Sequence, residues 1–229
     1  MPGRLTIGLY NSYDPRKLHE AHRRALARAA PLALAFDANL ATFGFPFHAS
    51  AGDLKVARGG AGAAAAAPLD LRTPLDVARF VAGTTSIGEG GDYFVELAKL
   101  GRFQLFPFPE RGFPPQLGEV VLTTEHARCP RDTSARAVAR ALVDGRSQLL
   151  VFGLGPHGVP KDVHAMAAWE LDITASPGQG GGSGRAGAGP DAETGGYSLE
   201  TATALGAVVG AIFAHVEALE ATPAHVHRR

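Results

Sequence analysis

The segment Leu149-Leu150-Val151-Phe152-Gly153-Leu154-Gly155-Pro156-His157-Gly158 joins an unbroken apolar run to a glycine-rich turn. Four consecutive apolar residues predict a strand buried on both faces, which is typical of a parallel sheet covered by helices. The three glycines leave main-chain amides and carbonyls uncovered, so a ligand can approach the backbone closely. This stretch therefore predicts an α/β fold with a small-molecule site where the strand ends.

Apolar runs and helical patterns alternate along the rest of the chain. Strands are predicted at residues 5–10, 103–106, 119–123, 148–152 and 170–174, and helices at residues 14–30, 75–82, 92–100, 134–143 and after Ser198. The first helix is placed by Asp14-Pro15, an N-cap residue followed by a first-turn proline. The apolar runs 32–36 and 40–45 predict a strand, a connector and a helical turn. We expect a single α/β domain over residues 1–229, with a mostly parallel sheet and helices on both faces.

Three segments lack the large apolar side chains that a core requires. Residues 48–68 are rich in alanine and glycine, and residues 176–196 are dominated by glycine, so both are predicted to be flexible insertions. The terminal residues 221–229 are expected to be disordered.

Composition and charge restrict the possible partners. One cysteine, Cys129, excludes an intramolecular disulfide and fits a reducing compartment. The longest apolar stretch, residues 202–214, is too short to span a bilayer, so we expect a cytoplasmic protein without a membrane partner. The formal net charge is zero, yet residues 1–30 carry six Lys and Arg against two acids. Nucleic-acid binding would therefore be local rather than driven by a broad field.

The glycine turn also matches the dinucleotide-binding pattern. Gly153-x-Gly155-x-x-Gly158 follows a predicted strand, and Asp172 lies where the ribose-binding acid is expected. Pro160, however, places the helix start after the last glycine, and one further strand and one helix cannot complete a dinucleotide domain. A nicotinamide-dependent oxidoreductase is therefore an alternative.

Taken together, the turn, the strand 171–174 and the segment Ser198-Leu199-Glu200-Thr201-Ala202-Thr203-Ala204-Leu205-Gly206 resemble the C-terminal half of the SPOUT methyltransferases, in an uncharacterised archaeal-type branch. The resemblance implies a C-terminal trefoil knot, in which three loops hold S-adenosyl-L-methionine mainly through backbone groups. On this resemblance the cofactor-binding residues are Gly153, Leu154, Gly155, His157, Gly158, Leu171, Ile173, Ser198, Leu199, Thr201 and Thr203.

The N-terminal half carries a second, looser resemblance. Asn11-x-x-x-Pro15, with Arg23 eight residues after the proline, is similar to the Asn…Arg motif of SPOUT enzymes that methylate the RNA ribose 2′-hydroxyl. It implies structured RNA, tRNA or rRNA, as substrate, with Asn11 and either Arg23 or Arg24 as catalytic residues. Glu200 stands where those enzymes carry asparagine. A knotted protein that binds RNA or an adenosyl ligand without catalysis is therefore a further alternative.

Two other patterns bear on partners. His19 and His22 are three apart on a predicted helix, which is not the zinc-protease spacing, so we expect no metal. The last helix carries an apolar stripe, and its other side offers Gly206 and Gly210, which would let a second backbone approach. We therefore expect a homodimer through this helix.

Overall fold

The computed structural model describes residues 2–47, 71–85, 88–124, 132–155, 158–172 and 200–221. Within them the strands are β1 (Leu5–Tyr10), β2 (Asn39–Phe43), β3 (Phe103–Phe106), β4 (Glu119–Thr124), β5 (Asp132–Thr133), β6 (Gln148–Gly153) and β7 (Trp169–Asp172). The α-helices are α1 (Glu20–Ala35), α2 (Pro74–Thr84), α3 (Gly90–Lys99), α4 (Ala135–Val143), α5 (Lys161–His164) and α6 (Thr201–Glu220). A 3₁₀ turn covers Pro115–Leu117.

These strands form one sheet in the order β3-β2-β1-β6-β4-β7-β5, and every pair is parallel. The two central strands β1 and β6 pair from Leu5↔Gln148 to Tyr10↔Gly153. Both are almost entirely buried, as their apolar runs predicted. The predicted α/β fold with a parallel sheet is confirmed.

Apolar side chains cover the sheet on both faces. One face carries the larger core, to which α1, α2, α3, α4 and α6 contribute, with α4 packed on α6 and α1 on α3. The other face carries a smaller core that includes Phe43, Leu149 and Val163. Burial on both faces explains why the strands are continuous apolar runs rather than alternating ones.

The prediction of a helix from Asp14 was wrong. Helix α1 begins at Glu20, with His19 in the N-cap position, and it extends through Pro31 to Ala35. Asp14 instead closes a local turn, in which its carboxylate accepts from the Arg16 amide at 2.8 Å. Asp14 therefore stabilises a turn and does not cap a helix, because an Asp side chain can accept hydrogen bonds from main-chain amides in either structure. The predicted strand at 32–36 is the last turn of α1.

Helix α6 begins at Thr201, so Glu200 occupies the N-cap position expected for Ser198. By length and composition alone α6 could cross a membrane. One side of it packs into the larger core through Ala204, Leu205, Val208, Val209 and Ile212. Within the described residues, 28% of its apolar window is buried.

Several predictions fall outside the described residues. These are the site residues His157, Ile173, Ser198 and Leu199, the segments 48–68 and 176–196, the tail from residue 222, and Cys129. The predicted knot depends on the chain path through residues 173–199, so it stays a prediction.

Candidate functional site

The carboxyl ends of β1 and β6 lie side by side at the centre of the sheet. The chain leaves β1 toward β2 on one side, and it leaves β6 toward β7 on the other, passing β4. In open parallel sheets, ligands bind in the crevice where the strand order reverses in this way. The crevice here lies beyond Tyr10 and Gly153, which are paired in register.

The glycine turn after β6 folds directly onto the end of β1. The Leu154 amide donates to the Tyr10 carbonyl at 3.0 Å, and the Gly155 amide donates to Ser12 Oγ at 2.9 Å. A Cβ at Gly155 would lie 2.3 Å from the Ser12 carbonyl oxygen, so only glycine permits this approach. Gly158 closes the turn with φ +63° and donates its amide to the Gly155 carbonyl at 3.0 Å.

The first turn of α6 joins the same site. Thr201 Oγ1 donates to the Gly153 carbonyl at 3.2 Å, across 48 residues of sequence. Gly153 is also constrained, since a Cβ there would lie 2.9 Å from the Gly158 carbonyl carbon. The predicted residues Gly153, Leu154, Gly155 and Thr201 are thus brought together, with Gly158 at the end of the turn.

A cavity of about 290 Å³ opens between this turn, the start of α6 and one face of α1. Leu154 and Thr201 line one side of it, and Arg24 and Arg28 line the other. Arg24 pairs with Glu20 at 2.6 Å, and Arg28 pairs with Glu200 at 2.7 Å. The cavity therefore holds two arginines beside the glycine turn, each paired with an exposed carboxylate.

The two arginines that the sequence left as equal candidates face different ways. Arg24 lies on the cavity side of α1 together with Glu20 and Arg28, which are one helical turn before and after it. Arg23 points to α2, where its Nη1 donates to the Thr84 carbonyl at 3.2 Å. Its Nε is buried without a partner among the described residues. The geometry favours Arg24 over Arg23 as the group that faces the site.

Asn11 organises the loop that follows β1. Its Nδ2 donates to the carbonyls of Asp14 and Gly44 at 2.8 and 2.9 Å, and its Oδ1 accepts from the Tyr13 amide at 3.2 Å. The side chain is buried, and both ends of its amide are occupied. Asn11 therefore supports the site by holding the loop in place.

Beneath this loop lies His22, which is fully buried. Its Nδ1 accepts from the His19 amide at 3.0 Å, so its Nε2 carries the proton and donates to Asn11 Oδ1 at 2.8 Å. Burial, together with the smaller effect of nearby His19, lowers the pKa of His22 to about 4. His19 Nε2 contacts the Asp14 carboxylate at 2.7 Å, and that hydrogen bond lowers the pKa of Asp14.

Because His22 is neutral when folded, we expect stability to fall as the pH drops from about 6.5 to about 4. Over this window the unfolded chain takes up a proton that folded His22 does not, and the stability is fully present above 6.5. The loss is on the order of 3 kcal/mol. Urea denaturation at pH 7 and pH 4.5 measures it, with His22→Gln flattening the dependence and His215→Gln on α6 as the control. An unchanged pH slope in His22→Gln would contradict this account.

The remaining predicted residues lie apart from the cavity. Leu171 is buried inside β7, which is separated from β6 by β4. Thr203 is exposed on α6, one turn beyond the N-cap. Within the described residues, no group of three or more His, Cys, Asp or Glu is placed to hold a metal ion.

The dinucleotide interpretation does not fit this geometry. The helix after the glycine turn, α5, has only four residues, so it offers no long helix end to a pyrophosphate. Asp172 ends a strand two positions away from β6, about 10 Å across the sheet. In a dinucleotide-binding unit this acid ends the neighbouring strand.

A family model described as a protein of unknown function, DUF531, matches residues 5–179. The chain belongs to the DUF531 family. An uncharacterised protein of Methanocaldococcus jannaschii is 31% identical over 219 residues, which covers 93% of this chain and 96% of that protein.

Solved structures share the DUF531 fold. A probable methyltransferase of Bordetella pertussis matches with a TM-score of 0.54 and 13% identity, covering 93% of this chain and 96% of that one. A candidate RNA methyltransferase of Bacillus anthracis matches with a TM-score of 0.52 and 14% identity, covering 93% and 94%. At these identities the likeness establishes the fold alone, and this DUF531 chain has the α/β fold of these proteins.

Three residues of the site were not predicted from the sequence, namely Ser12, Glu20 and Arg28. Ser12 directly follows Asn11 at the end of the first strand, and this position at the carboxyl edge of the sheet could have indicated it. Glu20 and Arg28 stand four residues before and after Arg24, a spacing that places all three on one helix face. The contact of Ser12 with Gly155 spans 143 residues and had no local signal.

Proposed function

We propose that this DUF531 protein is an S-adenosylmethionine-dependent RNA methyltransferase of the SPOUT type, with a ribose 2′-hydroxyl as the acceptor. The observation that carries the proposal is the glycine turn hydrogen-bonded to both the end of β1 and the start of α6, beside a cavity with two arginines. The shared fold of a probable methyltransferase and a candidate RNA methyltransferase supports it.

The described residues fit an adenosyl ligand. Leu154 supplies an apolar surface at the cavity beside Thr201, and Gly153 and Gly155 hold the turn in place by packing closely on Val159 and Ser12. We assign cofactor contacts to the turn and to the start of α6, and His157, Ile173, Ser198 and Leu199 stay predicted contacts. Leu171, inside β7, and Thr203, exposed on α6, lie apart from the cavity. The cofactor supplies an electrophilic methyl group on a positively charged sulfur.

Arg24 is the residue we assign to the acceptor. Its guanidinium orients the RNA hydroxyl and stabilises the negative charge that develops on the oxygen as its proton passes to water. Arg28 binds the adjacent phosphate, because a guanidinium matches a phosphate in two-pronged geometry. Both arginines are paired with exposed carboxylates, and such pairs are weak enough to exchange for a phosphate.

Structured RNA is the partner that this assignment requires. The loop after β1 adds two exposed cations, Arg16 and Lys17, on the same edge of the sheet. A local cluster of this kind binds phosphates without an overall positive charge. We retain two predictions from the sequence, a cytoplasmic location and a trefoil knot between β6 and α6.

The test of the proposed function is methyl transfer from tritiated S-adenosylmethionine to unfractionated tRNA and rRNA. Labelled RNA is then digested to nucleosides. Label in a 2′-O-methylated nucleoside supports the ribose assignment, whereas label in a methylated base would show that the acceptor is a base. A second candidate, an adenosyl-binding protein without catalysis, is favoured by the carboxylates that neutralise both arginines. Binding of S-adenosylhomocysteine without transfer to either RNA would select this candidate.

We also infer that two copies associate through α6. Its outer side exposes Ala207, Ala211 and Ala214, and a Cβ at Gly206 or Gly210 would meet no other atom within 4 Å. A second helix could therefore approach closely.

Ala207→Arg is expected to convert a dimer to a monomer, because it places a charge in an apolar contact and weakens association on the order of 100-fold. Light scattering after size-exclusion chromatography measures the mass, and Ala137→Arg on exposed α4 is the matched control. A wild-type monomer at all concentrations, or a dimeric Ala207→Arg protein, would contradict the inference.

A further inference from the structure

A second cavity, also about 290 Å³, lies at the same edge of the sheet, two strands from the glycine turn. It is lined by Phe43 and Phe106, which end β2 and β3, and by Pro107, Phe108, Pro109 and Pro114 of the loop that follows β3. Glu110 and Gly112 complete its rim. Its walls are therefore aromatic rings and proline rings rather than branched aliphatic side chains.

The rings of this cavity are held in place from behind. Phe43 stacks on Phe106 with ring centroids 5.5 Å apart, and the buried Phe113 meets Phe43 edge-on at 4.9 Å. Phe108 packs on Tyr10 at 5.3 Å. Phe106 and Phe108 themselves are only half-buried, so their remaining surface faces the opening.

Gly44 fixes the position of Phe108. A Cβ at Gly44 would lie 2.2 Å from the Phe108 ring, and the residue has φ +71°, so only glycine suits this position. The Gly44 carbonyl accepts from Asn11 Nδ2 at 2.9 Å. The wall of the cavity is thus connected directly to the loop that supports the proposed methyl-transfer site.

We propose that this cavity binds a nucleobase of the RNA substrate other than that of the methylated nucleotide. The proposal rests on the proposed function. Aromatic faces stack on any base, and the exposed Arg111, between the rim residues Glu110 and Gly112, can contact the phosphate of that nucleotide. The Glu110 carboxylate can accept from the exocyclic amino group of a base.

Charge and shape together favour a base over a purely apolar ligand. An apolar ligand would leave Arg111 without a role, whereas a nucleotide uses the rings for its base and Arg111 for its phosphate. This cavity lies on the face of the sheet that carries Phe43, whereas the cavity with Arg24 lies on the face covered by α1, so one RNA strand reaches both by passing around the carboxyl edge of the sheet.

The first experiment uses Phe108→Trp in a Trp169→Phe background, which places the only tryptophan of the chain in the cavity. Hexamers of riboadenosine are titrated against this protein, and abasic ribose-phosphate hexamers of the same charge serve as the control. We expect saturable quenching of fluorescence by the base-containing hexamer only. Equal quenching by both, or none, would overturn the proposal.

A second experiment replaces the ring without creating a large void. Phe108→Leu is expected to weaken binding of riboadenosine hexamers roughly 5- to 150-fold, the contribution of one stacked base. Tyr93→Leu on the exposed side of α3 is the matched control, and thermal melting verifies that both variants fold. Unchanged hexamer affinity in a folded Phe108→Leu protein would also overturn the proposal.

Binding of S-adenosylhomocysteine to the same proteins separates the two hypotheses. Suppose that wild type and Phe108→Leu bind S-adenosylhomocysteine equally, and that hexamers with and without bases bind with the same affinity. The cavity assignment then fails and the proposed function stands. If wild type does not bind S-adenosylhomocysteine, the proposed function fails. Fluorescence quenching that requires bases would then still support RNA binding by the cavity.

Discussion

Gly155→Ala is expected to weaken binding of S-adenosylhomocysteine by about 30-fold. The new Cβ would lie 2.3 Å from the Ser12 carbonyl oxygen and 2.7 Å from its carbon, and neither is a movable side chain. The turn must therefore separate from β1, with loss of the bonds from Gly155 to Ser12 and from Leu154 to Tyr10. Two hydrogen bonds of about 1 kcal/mol each correspond to an affinity loss of about 30-fold.

The matched control for this substitution is Gly83→Ala. Gly83 lies in α2, and a Cβ there would have no atom within 4 Å. Alanine in a helix is expected to preserve or slightly raise stability while leaving binding unchanged. Wild-type affinity in a folded Gly155→Ala protein would show that the ligand does not use this turn.

Arg24→Ala is expected to reduce methyl transfer on the order of 100- to 10,000-fold while S-adenosylhomocysteine binding stays near wild type. Arg24 faces the cavity beside Leu154 and Thr201, so its loss removes stabilisation of the acceptor oxygen. It forms a surface pair with Glu20, which contributes little to folding.

Arg23→Ala provides the comparison, because the two residues are adjacent and chemically identical. Arg23 contacts the end of α2, so its replacement is expected to lower stability more than transfer. Single-turnover rates with tRNA or rRNA, together with melting temperatures, separate the two effects. Loss of transfer in a well-folded Arg23→Ala protein, with an active Arg24→Ala protein, would reverse the assignment.

The regular elements were predictable where local signals agree with burial. The strand 5–10 and the strand ending at Phe152 are apolar runs, and Thr73 and Ser134 cap their helices as their sequences indicate. The start of α1 was not predictable, because it depends on hydrogen bonds that connect Asp14 and His19 to Asn11 and His22. Local signals carry no information about such partners.

The site was only partly predictable for the same reason. Glycines that follow a buried strand indicated the turn, but its contact with Ser12 depends on the pairing of β1 with β6, which are 143 residues apart in register. Sequence spacing left Arg23 and Arg24 equivalent, whereas a rotation of about 100° per residue separates them on α1. The cavity beside the loop after β3 was not predictable, because it depends on Phe43 at the end of β2 and on Gly44 directly after it.

Calorimetric titration of the purified protein with S-adenosylhomocysteine, with NADH as the control, tests the central claim most directly. The account predicts a dissociation constant in the micromolar range for S-adenosylhomocysteine and no heat of binding for NADH. Absence of S-adenosylhomocysteine binding, or tight binding of NADH in its place, would contradict the assignment of the glycine turn as a methyl-donor site.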